Sequence, residues 1–158
     1  MAELIDRECN AAIPEVDLGT DVFAFKDGRE EVARIQVKTA SAVTPYKDGS
    51  GYSARFSIGI EQLQHPVDRP PLYYAFAVRW QRNWRDFLIV SRAKLKELWK
   101  ADEPFGSAND KTNELTLTVE FREQTTCSGR DLSEFRNAWH LLPPLQAPAL
   151  RADALGPE

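Results

Sequence analysis

Asp21, Gln36 and Lys38 are the residues of this 158-residue chain whose types and spacing could do chemistry together. They lie in two segments, Gly19-Thr20-Asp21-Val22-Phe23-Ala24-Phe25 and Arg34-Ile35-Gln36-Val37-Lys38-Thr39, each of which reads as a β-strand. Lys26-Asp27-Gly28-Arg29 between them reads as a hairpin turn. Side chains alternate along a strand, so Gln36 and Lys38 point one way while Ile35 and Val37 point the other. A turn centred on Gly28-Arg29 sets Asp21 opposite Gln36, and one centred on Asp27-Gly28 sets it opposite Arg34. Asp21 shares a face with Gln36 and Lys38 in both, because a two-residue slip keeps parity. A carboxylate, an amide oxygen and an ammonium then converge. Such a set suits a hard divalent cation and a water positioned for attack on a phosphate. A plain amphipathic hairpin with a solvated polar face has the same pattern. Against it, Phe23 and Phe25 share Asp21's parity, so that face is partly covered, and a Lys and an Asp on a covered face need a partner or a task.

Asp21, a hairpin and then Gln36-Val37-Lys38 resembles the core of the PD-(D/E)XK phosphodiesterase superfamily. Its restriction and resolvase-like members carry an Asp on one strand and an acid-x-Lys on the next, with Gln replacing that acid in Mrr-like branches. The resemblance covers roughly residues 10–92. It implies that Asp21 binds Mg²⁺ or Mn²⁺, that Gln36 helps to coordinate it, and that Lys38 orients or activates the water. It also implies a restriction-endonuclease-like α/β fold, a mixed central sheet flanked by helices. Members usually begin with a helix that supplies a further acid. Glu3 and Glu8, on a short helical segment 2–10, and Asp17, in the loop before Gly19, are the additional acids available for that role.

Composition sets the outer bounds. A 42% hydrophobic, 28% charged chain of this length reads as one globular domain with a real core. No apolar run is long enough for a bilayer, and the acidic start Met-Ala-Glu-Leu-Ile-Asp lacks a secretory pattern, so the expected compartment is the cytoplasm. Cys9 and Cys127 imply no disulfide framework, and His65 and His140 have no spaced partners for zinc or a nucleophile triad. Net charge is −4, which opposes general nucleic-acid binding, but its distribution is uneven. Residues 1–31 carry nine acids against three bases, and residues 79–100 carry seven bases against two acids. An acidic metal-site region beside a basic segment is what a phosphodiesterase needs.

The remaining elements follow from periodicity. Residues 40–50 read as a loop, 52–60 as an alternating strand and 61–64 as a helical turn ended by prolines. Leu72–Trp80 is a near-continuous apolar run typical of a central strand, 81–85 a turn, and 86–90 the next strand. Ser91 caps a helix over 92–101 that buries Leu95, Leu98 and Trp99. A loop over 103–113 precedes an alternating strand over 114–121. Asp131 caps a second helix over 132–141, and the Pro/Ala-rich stretch 142–158 reads as a disordered tail after a single domain, 1–141.

Arg79-Trp80-Gln81-Arg82-Asn83-Trp84-Arg85 interleaves basic and aromatic residues at a hairpin tip. Arg82, Arg85 and Trp84 are the residues expected to clamp a phosphate backbone and stack a base; the competing arrangement packs both tryptophans under the turn and leaves the arginines solvated. No P-loop, GxGxxG, HExxH or GxSxG pattern is present. The expected function is a Mg²⁺-dependent DNA endonuclease, or nuclease-like domain, in defence, restriction or repair. DNA is the expected partner and RNA an allowed one, with the chain acting as a homodimer or as a subunit of a larger system. The alternative is a nucleic-acid- or protein-binding module that kept the fold and lost the chemistry.

Overall fold

The computed structural model describes residues 1–15, 19–66 and 70–146, and its architecture is mixed α/β with two sheets and few helices. In chain order the elements are helix α1 (Ala2–Ile5) and strands β1 (Asn10–Ala12), β2 (Val22–Phe25), β3 (Val32–Thr39), β4 (Ala42–Pro45) and β5 (Tyr52–Gly59). Then come α2 (Ile60–Gln64), β6 (Leu72–Trp80), β7 (Asn83–Ser91) and α3 (Arg92–Lys100). Strands β8 (Ser107–Asn109), β9 (Glu114–Phe121), β10 (Thr125–Cys127) and β11 (Arg130–Asp131) follow, and then three 3₁₀ turns. The first sheet has the order β1-β2-β3-β6-β7 and is mixed, because β3 and β6 run parallel while its other neighbours are antiparallel. The second sheet, β11-β10-β9-β5-β4 with β8 beside β9, is antiparallel.

Strand β6 is an interior strand, between β3 and β7. Its even positions Leu72, Tyr74, Phe76 and Val78 face the second sheet and join Phe56, Ile58, Leu115, Leu117 and Val119 in the main core. Its odd positions face a smaller core, where Ala75 meets Val22, Ala24, Ala33, Ile35 and Ile89 under Leu4, Trp139 and Leu142. Burial on both faces is why the β6 sequence is apolar without alternation. The exposed-face serines and arginine of β5, by contrast, give the clean alternation read from the sequence. Helix α3 begins as expected: the Ser91 hydroxyl accepts the Lys94 amide at 3.2 Å and Leu95 is buried in the main core.

Five expectations change. The mixed sheet is not flanked by helices on both faces; the second sheet, with α2 and α3 beside it, takes the place of one helical layer. The loops over 40–50 and 103–113 contain β4 and β8, and the turn over 81–85 shrinks to Gln81-Arg82, since β6 and β7 pair as far as Trp80 and Asn83. Both turn residues adopt positive φ, 49° and 69°, the twist a two-residue hairpin requires.

The helix expected over 132–141 is replaced by 3₁₀ turns at Ser133–Phe135 and Trp139–Leu141. Leu132, Phe135 and Trp139 are buried as a helical stripe would be, but Asn137 breaks the helix at φ 53°. Its amide donates to the Phe87 carbonyl at 2.7 Å and its side-chain oxygen accepts the Phe87 amide at 2.9 Å. With Arg136 bridged to Leu88, the segment covers the open edge of β7, and satisfying those edge groups outweighs helical propensity.

The tail expected over 142–158 begins inside the fold. Leu142 is fully buried, Pro143–Leu145 forms a 3₁₀ turn, and Arg29 in the β2–β3 turn donates to the Pro144 carbonyl at 3.1 Å and to that of Gln146. The stretch 147–158 lies outside the described residues.

Candidate functional site

Val22 pairs with Ile35 and Phe25 with Val32, the register of a turn centred on Gly28-Arg29. The ladder ends there: the Asp21 amide also bonds to the Ile35 carbonyl, so Asp21 and Val22 both oppose Ile35 and the expected pairing of Asp21 with Gln36 does not form. In the parallel pairing with β6, Gln36 lies beside Tyr74 and Lys38 beside Phe76. Gln36 and Lys38 therefore share the face of the first sheet that looks toward the second, with Phe23 and Phe25 half-buried on it, while Asp21 stands just before β2, off the ladder. On the other face Val22, Ala24 and Ile35 enter the smaller core, whereas Val37 stays 37% exposed.

Each member of the trio is held differently. Asp21 precedes β2, donates its amide to the Ile35 carbonyl at 2.9 Å, and accepts the Val37 amide on Oδ2 at 2.6 Å. Val37 lies one step past the end of the β2 ladder, so the Asp21 carboxylate substitutes for the missing strand carbonyl. That charge-assisted bond fixes the carboxylate at the Val37 amide. Gln36 is only 8% exposed, and its Oε1 has no hydrogen-bond partner among the described residues. An unsatisfied buried oxygen of this kind costs about 1–3 kcal/mol. Lys38 is half-buried, its stem alongside Phe76.

Among the described residues no three His, Cys, Asp or Glu side chains converge on one point. A cation bound here would rest on the Asp21 carboxylate and the orphaned Gln36 oxygen, with water and substrate phosphate completing its shell. That donor set suits Mg²⁺, which keeps several waters and binds through one or two carboxylates.

The additional acids do not join the trio. Glu3 pairs with Arg7 at 2.8 Å along α1, and Glu8 pairs with Lys26 at 3.4 Å beside the hairpin turn. Leu4 and Cys9 of that segment sit in the smaller core, behind the sheet from Gln36. Asp17 lies outside the described residues.

The basic segment splits in two. On α3, Arg92 is buried and donates to the carbonyls of Gln62, at 3.3 Å, and Pro66. Lys94 pairs with Glu97 at 2.7 Å and Lys96 donates to the Gln64 carbonyl at 3.2 Å. At the β6–β7 tip, Arg79, Arg82 and Arg85 are exposed, and Trp84 is 50% exposed rather than tucked under the turn. A bulge follows, since Arg79 pairs with Trp84 but Val78 pairs with Asp86, leaving Arg85 as the extra residue. Trp84 and Arg79 share the face of the smaller core. Arg85, the bulged residue, lies within electrostatic range of Tyr52 in the second sheet. Arg82, Arg85 and Trp84 thus form a rim around the tip rather than one flat patch.

Sequence reasoning missed a buried polar cluster beside this rim. Asp86 is 6% exposed, accepts from Arg136 Nε at 2.8 Å and Asn137 Nδ2 at 3.3 Å, and accepts the Tyr52 hydroxyl. Burial alone would raise the Asp86 pKa; bonds from Arg136 and Tyr52 and the Arg136 charge outweigh it and hold the carboxyl below its usual range. Burial, reinforced by the bond to Asp86 and its charge, pushes the Tyr52 phenol well above its ordinary value. The members come from β5, β7 and the segment after β11, so no local spacing links them. Every described polar group in the cluster is paired, as a structural tie between layers requires.

Comparisons of the chain with protein-family models, with curated proteins and with solved structures find no match.

Proposed function

We propose that the chain is a Mg²⁺- or Mn²⁺-dependent DNA endonuclease of the PD-(D/E)XK type, built on a restriction-endonuclease-like core to which the second sheet is added. The observation that carries this reading is the orphaned, buried Gln36 Oε1, on the face that also bears Lys38 and one residue from the Val37 amide that holds the Asp21 carboxylate. Asp21 and Gln36 would hold the cation, which when bound polarises a scissile phosphate. The Val37 amide keeps the Asp21 carboxylate oriented. The Lys38 ammonium orients the attacking water and neutralises charge on the phosphate. DNA is the proposed partner, RNA sharing the same backbone chemistry, and the proposed setting is cytoplasmic defence, restriction or repair, as a homodimer or a subunit. No helix among the described residues is long and apolar enough to cross a membrane.

The test is cleavage of DNA with and without divalent metal. The expected result is nicking that requires Mg²⁺ or Mn²⁺ and is lost in Lys38→Ala at unchanged thermal stability. Cleavage that persists in EDTA, or survives Lys38→Ala, would overturn the mechanism. A second reading, a binding module without chemistry, is favoured by one observation: the Asp21 carboxylate already has a structural task in accepting the Val37 amide. That reading expects no cleavage with any metal while nucleic-acid binding remains.

A further inference from the structure

We propose that the β6–β7 tip is a stacking platform for unpaired nucleotides, so that the ligand it takes is single-stranded nucleic acid rather than a closed duplex. This rests on the nucleic-acid reading above but not on catalysis.

Three observations converge on it. Trp84 is half-exposed on a narrow two-stranded ribbon, so part of its ring is open to a flat partner. Its ring is supported from within the fold: Phe87 lies 6.0 Å away and itself packs on Trp139 at 5.0 Å, and the Arg79 guanidinium sits 5.7 Å from the Trp84 centroid. A ring braced in this way is preorganised, so stacking a base on it costs little conformational entropy. The surroundings are cationic. Positions 79–85 carry Arg79, Arg82 and Arg85 and no acid, and the adjacent Asp86 is buried and engaged by Tyr52, Arg136 and Asn137. No carboxylate pairs with any of the three arginines among the described residues. An aromatic plate rimmed by unneutralised arginines selects an anion with flat apolar groups.

The duplex is disfavoured because its base faces are covered by their neighbours, whereas an unpaired base has a π-face to offer. The net charge of −4 also works against the long electrostatic footprint that non-specific duplex binding needs. The path is short. Trp84 is on the face of the smaller core, Arg82 is at the turn, and the bulged Arg85 lies within electrostatic range of Tyr52 in the second sheet. A strand crossing this rim arrives at the face bearing Lys38, whose partner Phe76 is four residues from Trp80, roughly 13 Å along the ribbon. Single-stranded DNA and RNA offer the same stacking and phosphate chemistry, and the experiment separates them.

Binding is measured in EDTA, by fluorescence anisotropy, with labelled oligothymidylate and oligouridylate of about 12 nucleotides and with a blunt duplex of matching length. The expected result is tighter binding to at least one single strand than to the duplex. Trp84→Ala weakens that binding by about fivefold or more with an unchanged salt slope, and Trp84→Phe restores part of it. The Arg82→Gln/Arg85→Gln double variant instead lowers the salt slope by about 0.7 for each phosphate that is no longer neutralised. Equal affinity for duplex and single strand, or an unchanged affinity in Trp84→Ala, overturns the platform. Metal-dependent cleavage without Trp84-dependent binding would sink this inference alone, and Trp84-dependent binding without cleavage would sink only the nuclease reading.

Discussion

Gln36 is the residue at which stability and proposed function conflict. A buried oxygen with no donor is tolerated in a folded chain only at a cost, and a bound cation would remove that cost by supplying the missing partner. Gln36→Met keeps a similar volume while deleting the orphaned group. It is expected to raise stability by about 1 kcal/mol in EDTA. Adding Mg²⁺ should then stabilise the parent and not the variant, because a ligand stabilises only the form that binds it. Thermal denaturation of both proteins with and without metal checks this. A parent insensitive to Mg²⁺ at millimolar concentration would mean that the oxygen is a packing cost with no compensating ion. Asp21 differs from Gln36 in having a structural partner already, the Val37 amide, so its carboxylate is fixed before any metal arrives.

Among the elements, the chain after β11 does the most with the least regular structure. It covers the β7 edge through Arg136 and Asn137, then turns Trp139 and Leu142 into the smaller core beneath the Asp21 hairpin. Arg29 holds it from the other side through the carbonyls of Pro144 and Gln146. Leu142 is fully buried, so Leu142→Ala is expected to cost about 2–4 kcal/mol, a fall of roughly 4–16 °C in Tm. Thermal unfolding followed by circular dichroism measures it. A loss below half a degree would return residue 142 to the status of a tail. Arg7 over the Trp139 ring at 5.1 Å closes this layer against α1, which explains why the amino-terminal acids serve packing and pairing rather than the candidate site.

At the scale of the whole molecule, the Asp86 cluster ties the two sheets together and sets the pH response. The Asp86 carboxyl is held below its usual range in the fold, so its contribution is present above the unfolded value of about 3.9 and is lost as pH falls through the folded pKa. Tyr52 is raised, so its contribution is complete below the unfolded value of about 10 and is lost as pH rises beyond it. Stability is therefore expected to be level between these limits and to fall on both sides. Tyr52→Phe should flatten the alkaline limb, and Asp86→Asn the acid limb. Asp86→Asn also removes the partner of Arg136, whose side chain is 31% exposed, at a cost of about 2 kcal/mol at neutral pH. Urea denaturation across pH measures both limbs. An acid limb unchanged in Asp86→Asn would assign that dependence to other carboxylates.

Much of this was determined by the sequence itself. Alternation fixed which residues of β5 and β9 face inward, the unbroken apolar run marked β6 as covered on both faces, and Ser91 marked the start of α3. The common face of Gln36 and Lys38 follows from parity alone, whereas parity could not foresee that Asp21 would oppose Ile35 beside Val22. These are local properties, set by backbone geometry over a few residues, and they leave a periodic trace. Tertiary structure decided what covers each face. It set a second sheet facing Gln36 and Lys38, placed a bulge at Arg85 in the rim, buried Leu142, and broke the stripe over 132–141 because β7 had an open edge to satisfy. It also assembled Tyr52, Asp86, Arg136 and Asn137 from segments up to 85 residues apart. Contacts of that kind depend on which surfaces meet, and no spacing along the chain records them.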